Sequence, residues 1–211
     1  MSEKLSVVLA VHNQGDFVEA NLPLYLQQQC DVPYRVIVVD DASTDDSADI
    51  LKRIGVESPH LYTTFLPNAP YSPFRRRLAL HIGMKAAAGE WIMLIDISRA
   101  PCSDSLLQEM VSQATAAGCC AATAYHRSRS NTTRYVLWDS IKELAPVLVK
   151  AERHSANRIN SRFMKVKRGD YDALIFKRDY INDVLPFICQ DVGTMKLLRL
   201  RIKIFLSSFF Y

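Results

Sequence analysis

Short apolar runs that end in polar or acidic residues recur along this chain. Leu5–Val11 is apolar except for Ser6, and it stops at His12-Asn13-Gln14-Gly15. Residues 36–39 are all apolar and stop at Asp40-Asp41, with the turn residues Ala42-Ser43-Thr44-Asp45 behind them. Trp91–Ile95 is apolar and stops at Asp96. Runs of this length, bounded by turn residues, suit strands buried on both faces. The pattern predicts strands near 5–11, 34–39, 61–66, 91–95 and 120–125, and helices near 15–29, 45–54, 74–88 and 103–117. Such alternation implies an α/β fold, with a mostly parallel sheet flanked by helices on both faces.

The second half is less regular. The segment Pro67-Asn68-Ala69-Pro70-Tyr71-Ser72-Pro73 reads as a loop, and residues 126–133 read as a flexible polar connection. A helix is predicted over 136–150, its regularity limited by Pro146. Strands follow near 163–167 and 172–177, then a helix near 190–199. Ile202, Ile204 and Leu206 alternate with Arg201, Lys203 and Phe205, as in a half-buried strand. The apolar end, Phe209-Phe210-Tyr211, suits either a final buried strand or a chain cut before further sequence.

In open α/β sheets, ligands bind beyond the carboxyl ends of the strands. Acids at such ends are poorly placed for stability and well placed to accept hydrogen bonds from a ligand. They could equally cap the helix that follows. A strand-end acid adds little core, so the fold is expected to tolerate loss of Asp41.

Four segments occur in a telling order and spacing. They are the first strand with His12-Asn13, the Val38-Val39-Asp40-Asp41-Ala42-Ser43-Thr44-Asp45 turn, the Gly83…Gly89-Glu90-Trp91-Ile92 stretch, and Leu94-Ile95-Asp96. Gln190-Asp191 followed by Leu198-Arg199-Leu200 extends the pattern. Together they resemble the family 2 glycosyltransferases, inverting nucleotide-sugar enzymes of the Rossmann-like GT-A fold. The resemblance covers nearly the whole chain except residues 126–165. It implies a single domain over 1–211, in which 1–125 hold the nucleotide sugar and 126–211 the acceptor.

The resemblance also implies roles. Asp41 would accept the N–H of a uracil-like base, with Asp40 bracing the turn. His12 would lie near the base, where the family usually has an aromatic ring. Asp191 matches the catalytic base, although a helix-start Asp complementing the dipole fits the same residue. The donor would be a UDP-sugar. The acceptor would be a saccharide or lipid-linked saccharide of an envelope polysaccharide.

Three positions depart from the family pattern. The usual Asp-x-Asp is Asp96-Ile97-Ser98, so the carboxylate that ligates Mg²⁺ or Mn²⁺ is missing and metal binding is weakened. Asp96 is the metal candidate that is left. Arg99 follows, and a guanidinium can pair phosphate oxygens in a metal's place; an exposed loop arginine is the plainer reading. The usual Ala-Arg-Asn-x-Gly is Ala79-Leu80-His81-Ile82-Gly83, behind Arg75-Arg76-Arg77. Consecutive helical residues lie about 100° apart, so the three arginines are not expected to share one phosphate. Gln190 replaces an acid. These losses keep open a non-catalytic relative that binds nucleotide or a partner. A nucleotidyltransferase is disfavoured, because Gly15 stands alone where a glycine-rich phosphate loop belongs.

Charge changes the picture slightly. The net charge of +4 is uneven: residues 1–100 hold 9 Lys/Arg against 12 Asp/Glu, and residues 101–211 hold 17 against 10. A basic second half suits a phosphate-bearing ligand or peripheral contact with an anionic membrane, and no nucleic-acid motif is visible. Five cysteines without a Cys-x-x-Cys fit free thiols in a reducing cytoplasm. Met-Ser-Glu-Lys leads straight into a strand, so no signal peptide is expected, and no apolar run is long enough to span a bilayer. The expected location is the cytoplasm, at the inner face of the membrane.

Overall fold

The structure is a computed structural model and describes residues 3–67, 75–127, 132–138 and 173–184. Seven strands among them form one mixed sheet. They are β1 (Leu5–Val11), β2 (Tyr34–Asp40), β3 (Leu61–Phe65), β4 (Trp91–Ile95), β5 (Ala121–Arg127), β6 (Thr132–Trp138) and β7 (Ala173–Lys177). Their order across the sheet is β3-β2-β1-β4-β7-β5-β6. β1 is parallel to β2 and β4, and β2 is parallel to β3. β7 runs antiparallel between β4 and β5, and β6 is antiparallel to β5. Thus β1 to β5 all point one way.

The helices are α1 (Gly15–Leu26), α2 (Ser47–Glu57), α3 (Arg75–Ala86) and α4 (Leu106–Ala116). Leu5, Val7, Leu9 and Val11 of β1 pack with Val18 and Leu22 of α1, Ile50 of α2 and Met110 of α4. Val8 points to the other face, where Leu80 and Met84 of α3 cover it. A strand covered on both sides has no solvent face, which is why its apolar run is continuous. Ser6 breaks that run for a reason. Its buried hydroxyl accepts the Gly89 N–H at 3.0 Å and donates to Glu3.

Gly83 sets how closely α3 sits. A Cβ there would lie 2.5 Å from Val8 Cγ1 and 3.2 Å from Val39 Cγ2. The helix reaches the sheet because this position has no side chain.

α1 ends at Leu26, short of the predicted residue 29. Gln28 leaves the helix and buries its amide, donating to Ser103 O at 3.0 Å and Leu24 O at 3.2 Å and accepting from Leu107 N–H at 3.3 Å. It ties the start of α4 to the end of α1.

Two expectations fail in the hairpin. Residues 126–133 are not a flexible connection throughout, because β5 continues to Arg127 and β6 begins at Thr132. The helix predicted from 136 does not start there, since Thr132–Trp138 is strand. Thr132, Thr133, Tyr135, Val136 and Trp138 are β-branched or aromatic, and a ladder from Ala121↔Trp138 to Arg127↔Thr132 holds them extended. The elements expected at 139–150, 163–167, 190–199 and 202–206 lie outside the described residues, as do most of the proline loop and the apolar end. Among the described residues, no helix is long and apolar enough to cross a membrane.

Gly83→Ala should destabilise the fold by about 1–3 kcal/mol through overpacking. Gly55, in α2, has nothing within 4 Å of a built Cβ. Gly55→Ala should instead stabilise by about 0.5–1 kcal/mol. Urea midpoints that move in the same direction for both variants would refute this packing account.

Candidate functional site

The C-terminal ends of β1, β2 and β4 lie side by side, since these strands are parallel and adjacent. That register brings together His12, Asp40, Asp41 and Asp96 from three separated stretches of sequence.

The turns after β1 and β2 latch onto each other. Asn13 N–H donates to Ser43 Oγ at 3.0 Å, and Asn13 Oδ1 accepts Thr44 N–H at 2.7 Å. Asn13 and Ala42 both have φ of 50°, the left-handed region. Asn tolerates this conformation, whereas for Ala it costs roughly 1–2 kcal/mol. The cross-turn hydrogen bonds offset that strain and hold the strand ends in one geometry. His12 Nδ1 lies 2.7 Å from the Asp41 carbonyl. A carbonyl can only accept, so Nδ1 is the donor in this contact.

Asp45, not Asp40 or Asp41, serves the helix starts. One oxygen accepts Gly15 N–H at 2.9 Å and the other accepts Ser47 N–H at 3.1 Å, so one carboxylate bridges the N-termini of α1 and α2. Partial burial pushes the Asp45 carboxyl up, but the hydrogen bonds from Ser47 and Gly15 outweigh it and hold the pKa low. The capping duty considered for Asp40 and Asp41 is therefore filled. Asp40 Oδ1 instead accepts Ser43 N–H at 3.0 Å, bracing the turn.

Asp41 departs from its expected neutrality toward the fold. It is buried, with a side chain only 8% exposed, and Arg75 meets it with Nε at 2.7 Å and Nη2 at 2.6 Å from Oδ1. Arg75 also reaches Pro67 O at 3.4 Å. Removing Asp41 would take away the carboxylate that a mostly buried guanidinium meets at 2.6 Å, so the residue does contribute to stability.

Asp96 sits in the loop after β4. Its Oδ1 accepts Ser98 N–H at 3.1 Å and the Ser98 hydroxyl at 2.9 Å, and its Oδ2 faces Arg76 Nη2 at 3.4 Å. Partial burial raises the carboxyl's pKa, but the Ser98 hydrogen bonds and the Arg76 charge outweigh burial and hold it below the usual range. The loop is pinned from behind. Asn21 Nδ2 donates to Ile97 O at 2.8 Å, and Tyr25 OH donates to Arg99 O at 3.0 Å. Arg99 is half-buried in the same loop, and its N–H donates to Asp96 O at 3.0 Å.

The arginines at the start of α3 reach the strand-end acids, which the apolar pattern of the sequence did not indicate. Arg75 and Arg76 point to different acids, Asp41 and Asp96, as their 100° separation allows. A signal was available. Cations at a helix N-terminus oppose the macrodipole, and the first turn of α3 holds no acid. Three arginines there need acids from elsewhere or an anionic ligand. Leu80, where the family pattern has an arginine, is instead packed in the core under α3.

A divalent ion fits this loop poorly. Asp96 is the one carboxylate among the first residues of the loop, 96–100, both its oxygens are engaged, and a guanidinium stands beside it. Among the described residues, no group of three or more His, Cys, Asp or Glu converges to hold a metal. Beside the β2 end, a groove of about 390 Å³ opens between α2 and β3, lined by Ser43, Thr44, Lys52, Thr63, Thr64 and Phe65. Asp191 lies outside the described residues.

Comparison with known proteins shows a family and a fold. The family described as "Glycosyl transferase family 2" matches residues 6–185. An undecaprenyl-phosphate 4-deoxy-4-formamido-L-arabinose transferase of Serratia proteamaculans is 29% identical over 100 residues, covering 44% of this chain and 28% of that protein. A mannosyltransferase from Pyrobaculum calidifontis, solved with GDP-Man and Mn²⁺, superposes with a TM-score of 0.58 at 20% identity over 87% of this chain and 47% of its own. S. aureus TarS with UDP-GlcNAc gives a TM-score of 0.56 at 18% identity over 85% of this chain and 47% of its own. The two structural likenesses show the fold. The chain spans about a quarter of the length of the curated relatives it matches.

Two expected outcomes test the charges. Asp41→Ala should cost about 3 kcal/mol, the low end for a broken buried pair, because Arg75 keeps 15% of its side-chain surface exposed. Replacing both, as Asp41→Leu with Arg75→Met, should recover most of that loss in a urea double-mutant cycle, and an absence of coupling would refute the pair. The Asp96 pKa is lowered by folding, so its stabilisation is complete above the unfolded carboxylate range, near pH 4, and fades as pH falls through the lowered value. An NMR carboxyl titration should show Asp96 ionising below free aspartate. A midpoint at or above the free value would overturn the assignment.

Proposed function

The chain belongs to glycosyl transferase family 2, and on that premise we propose that it transfers a sugar from a nucleoside-diphosphate donor, a UDP-sugar, with inversion. The observation that carries the reading is the convergence of His12, Asp40, Asp41 and Asp96 on one sheet edge beside two arginines. The base would lie against His12 and the latched turn, with the Asp41–Arg75 pair beneath it. The diphosphate would lie toward Asp96, Arg99 and Arg76. Residues 1–125 would hold this donor and 126–211 the acceptor.

In the reaction, an acceptor hydroxyl oxygen attacks the anomeric carbon while the bond from that carbon to the diphosphate breaks. The hydroxyl proton passes to Asp191, and the nucleoside diphosphate leaves from the opposite face. The contribution of the donor half is positioning and charge compensation of the departing diphosphate. The Serratia relative and the basic second half support a saccharide or lipid-linked acceptor at a membrane surface, in polysaccharide assembly.

A second reading has its own support. Leu80 is committed to the core and Ser98 replaces a carboxylate, which favours a relative that binds nucleotide without transferring sugar. Donor hydrolysis decides between them and requires no acceptor. UDP should bind in calorimetry, and the parent should slowly release UDP from a UDP-sugar. Asp191→Asn should leave binding nearly unchanged and lower turnover by about 10²–10⁴-fold. Binding with no turnover of any common UDP- or GDP-sugar supports the second reading. Equal turnover by parent and variant places the base elsewhere.

A further inference from the structure

We propose that Arg76, not a divalent metal ion, supplies the positive charge that the donor diphosphate meets at Asp96. The proposal rests on the reading of this site as a nucleotide-sugar seat and says what compensates the leaving group there.

The donor set around Asp96 is built for a guanidinium. Mg²⁺ and Mn²⁺ take several oxygen ligands at once, and a site that shares the ion with substrate phosphates still has to aim at least one carboxylate oxygen at it. Here Asp96 Oδ1 is turned toward two donors from Ser98, and Oδ2 faces Arg76. Asp96 has little freedom to swing away, because Asn21 and Tyr25 clamp the carbonyls of Ile97 and Arg99. A dication bound at Oδ2 would compete with the Arg76 guanidinium, which stands 3.4 Å from that oxygen.

Arg76 is also placed to serve a ligand. Its contact with Asp96 is long, 3.4 Å, and its side chain is 54% exposed. It is tethered at the site rather than consumed by it, in contrast to Arg75, which is mostly buried against Asp41. A guanidinium presents planar N–H donors that match two phosphate oxygens at once. Position 76 lies four residues before Leu80, on the same face of α3. The cation that the family pattern carries at position 80 has thus moved one helical turn toward the strand ends, and Leu80 fills the core beneath. The two departures, Ser98 and Leu80, then form one arrangement.

Calorimetry of the whole chain with UDP and with GDP, each in EDTA and again with Mn²⁺, tests the proposal. The affinity for the bound nucleotide should change by no more than about twofold between the two conditions. Arg76→Ala should weaken the diphosphate by about tenfold or more and leave uridine or guanosine binding unchanged, and Arg76→Lys should fall between the two. Circular dichroism should show all three proteins folded alike, since residue 76 is exposed. Adding Ser98→Asp to Arg76→Ala should create a dependence on Mn²⁺ that the parent lacks. Binding that appears only with Mn²⁺ would overturn the proposal and leave the donor reading standing. So would an Arg76→Ala protein that binds UDP as the parent does. Absence of nucleotide binding under both conditions would overturn the donor reading and this inference with it.

Discussion

The ion pair between Asp41 and Arg75 is the contact on which the site is organised. Each partner is unfavourable where it stands without the other. Asp41 is a buried carboxylate at a strand end, and Arg75 is a cation at the positive end of α3. Brought within 2.7 Å they neutralise each other, and the pair ties the end of β2 to the start of α3. Arg76 and Asp96 repeat the arrangement two strand positions away, beyond β1, more loosely and nearer solvent. The inner pair is short and mostly buried, whereas the outer pair is long and about half exposed.

The backbone beneath these pairs is equally constrained. Parallel β1 and β2 deliver two turns side by side, and two left-handed residues would ordinarily open them. The Asn13 amide closes the gap by hydrogen bonding across it, and Asp45 closes the outer side by serving two helix N-termini. A side chain at position 15 would push the exposed Asp46 carboxylate aside, since a Cβ there would fall 2.2 Å from one of its oxygens. The edge of the sheet is therefore a preorganised platform, the condition under which fixed charges stabilise a leaving group with little reorganisation.

Family membership and departure from the family pattern meet at α3. Gly83 lets the helix rest on Val8 and Val39, so its first turn is delivered to the strand ends whatever residues it carries. Core packing fixes where a cation can stand, and the sequence of the first turn decides which cation stands there. Changes that look like decay when read one position at a time, Leu80 and Ser98, need not abolish charge compensation if a neighbouring residue on the same face takes over.

The residues by themselves determined the strands of the first half and the edge at which their polar and acidic ends gather. Continuous apolar runs ending in acids report burial on both faces, which is a local property of the chain. β1 and β4 fall at the predicted residues, and His12, Asp40, Asp41 and Asp96 lie at or just beyond strand ends. Where the local signal was ambiguous, tertiary pairing decided. Thr132–Trp138 could be written as a helix start, and it became strand because β5 offered a ladder. The partners of charged groups were likewise invisible along the chain. Asp41 and Arg75 are 34 residues apart, and Asp96 meets Arg76 rather than its near neighbour Arg99. Periodicity reports which face a residue takes. Which opposite charge waits on that face depends on how close α3 comes to the sheet, and that distance is set by Gly83 and the packing around it.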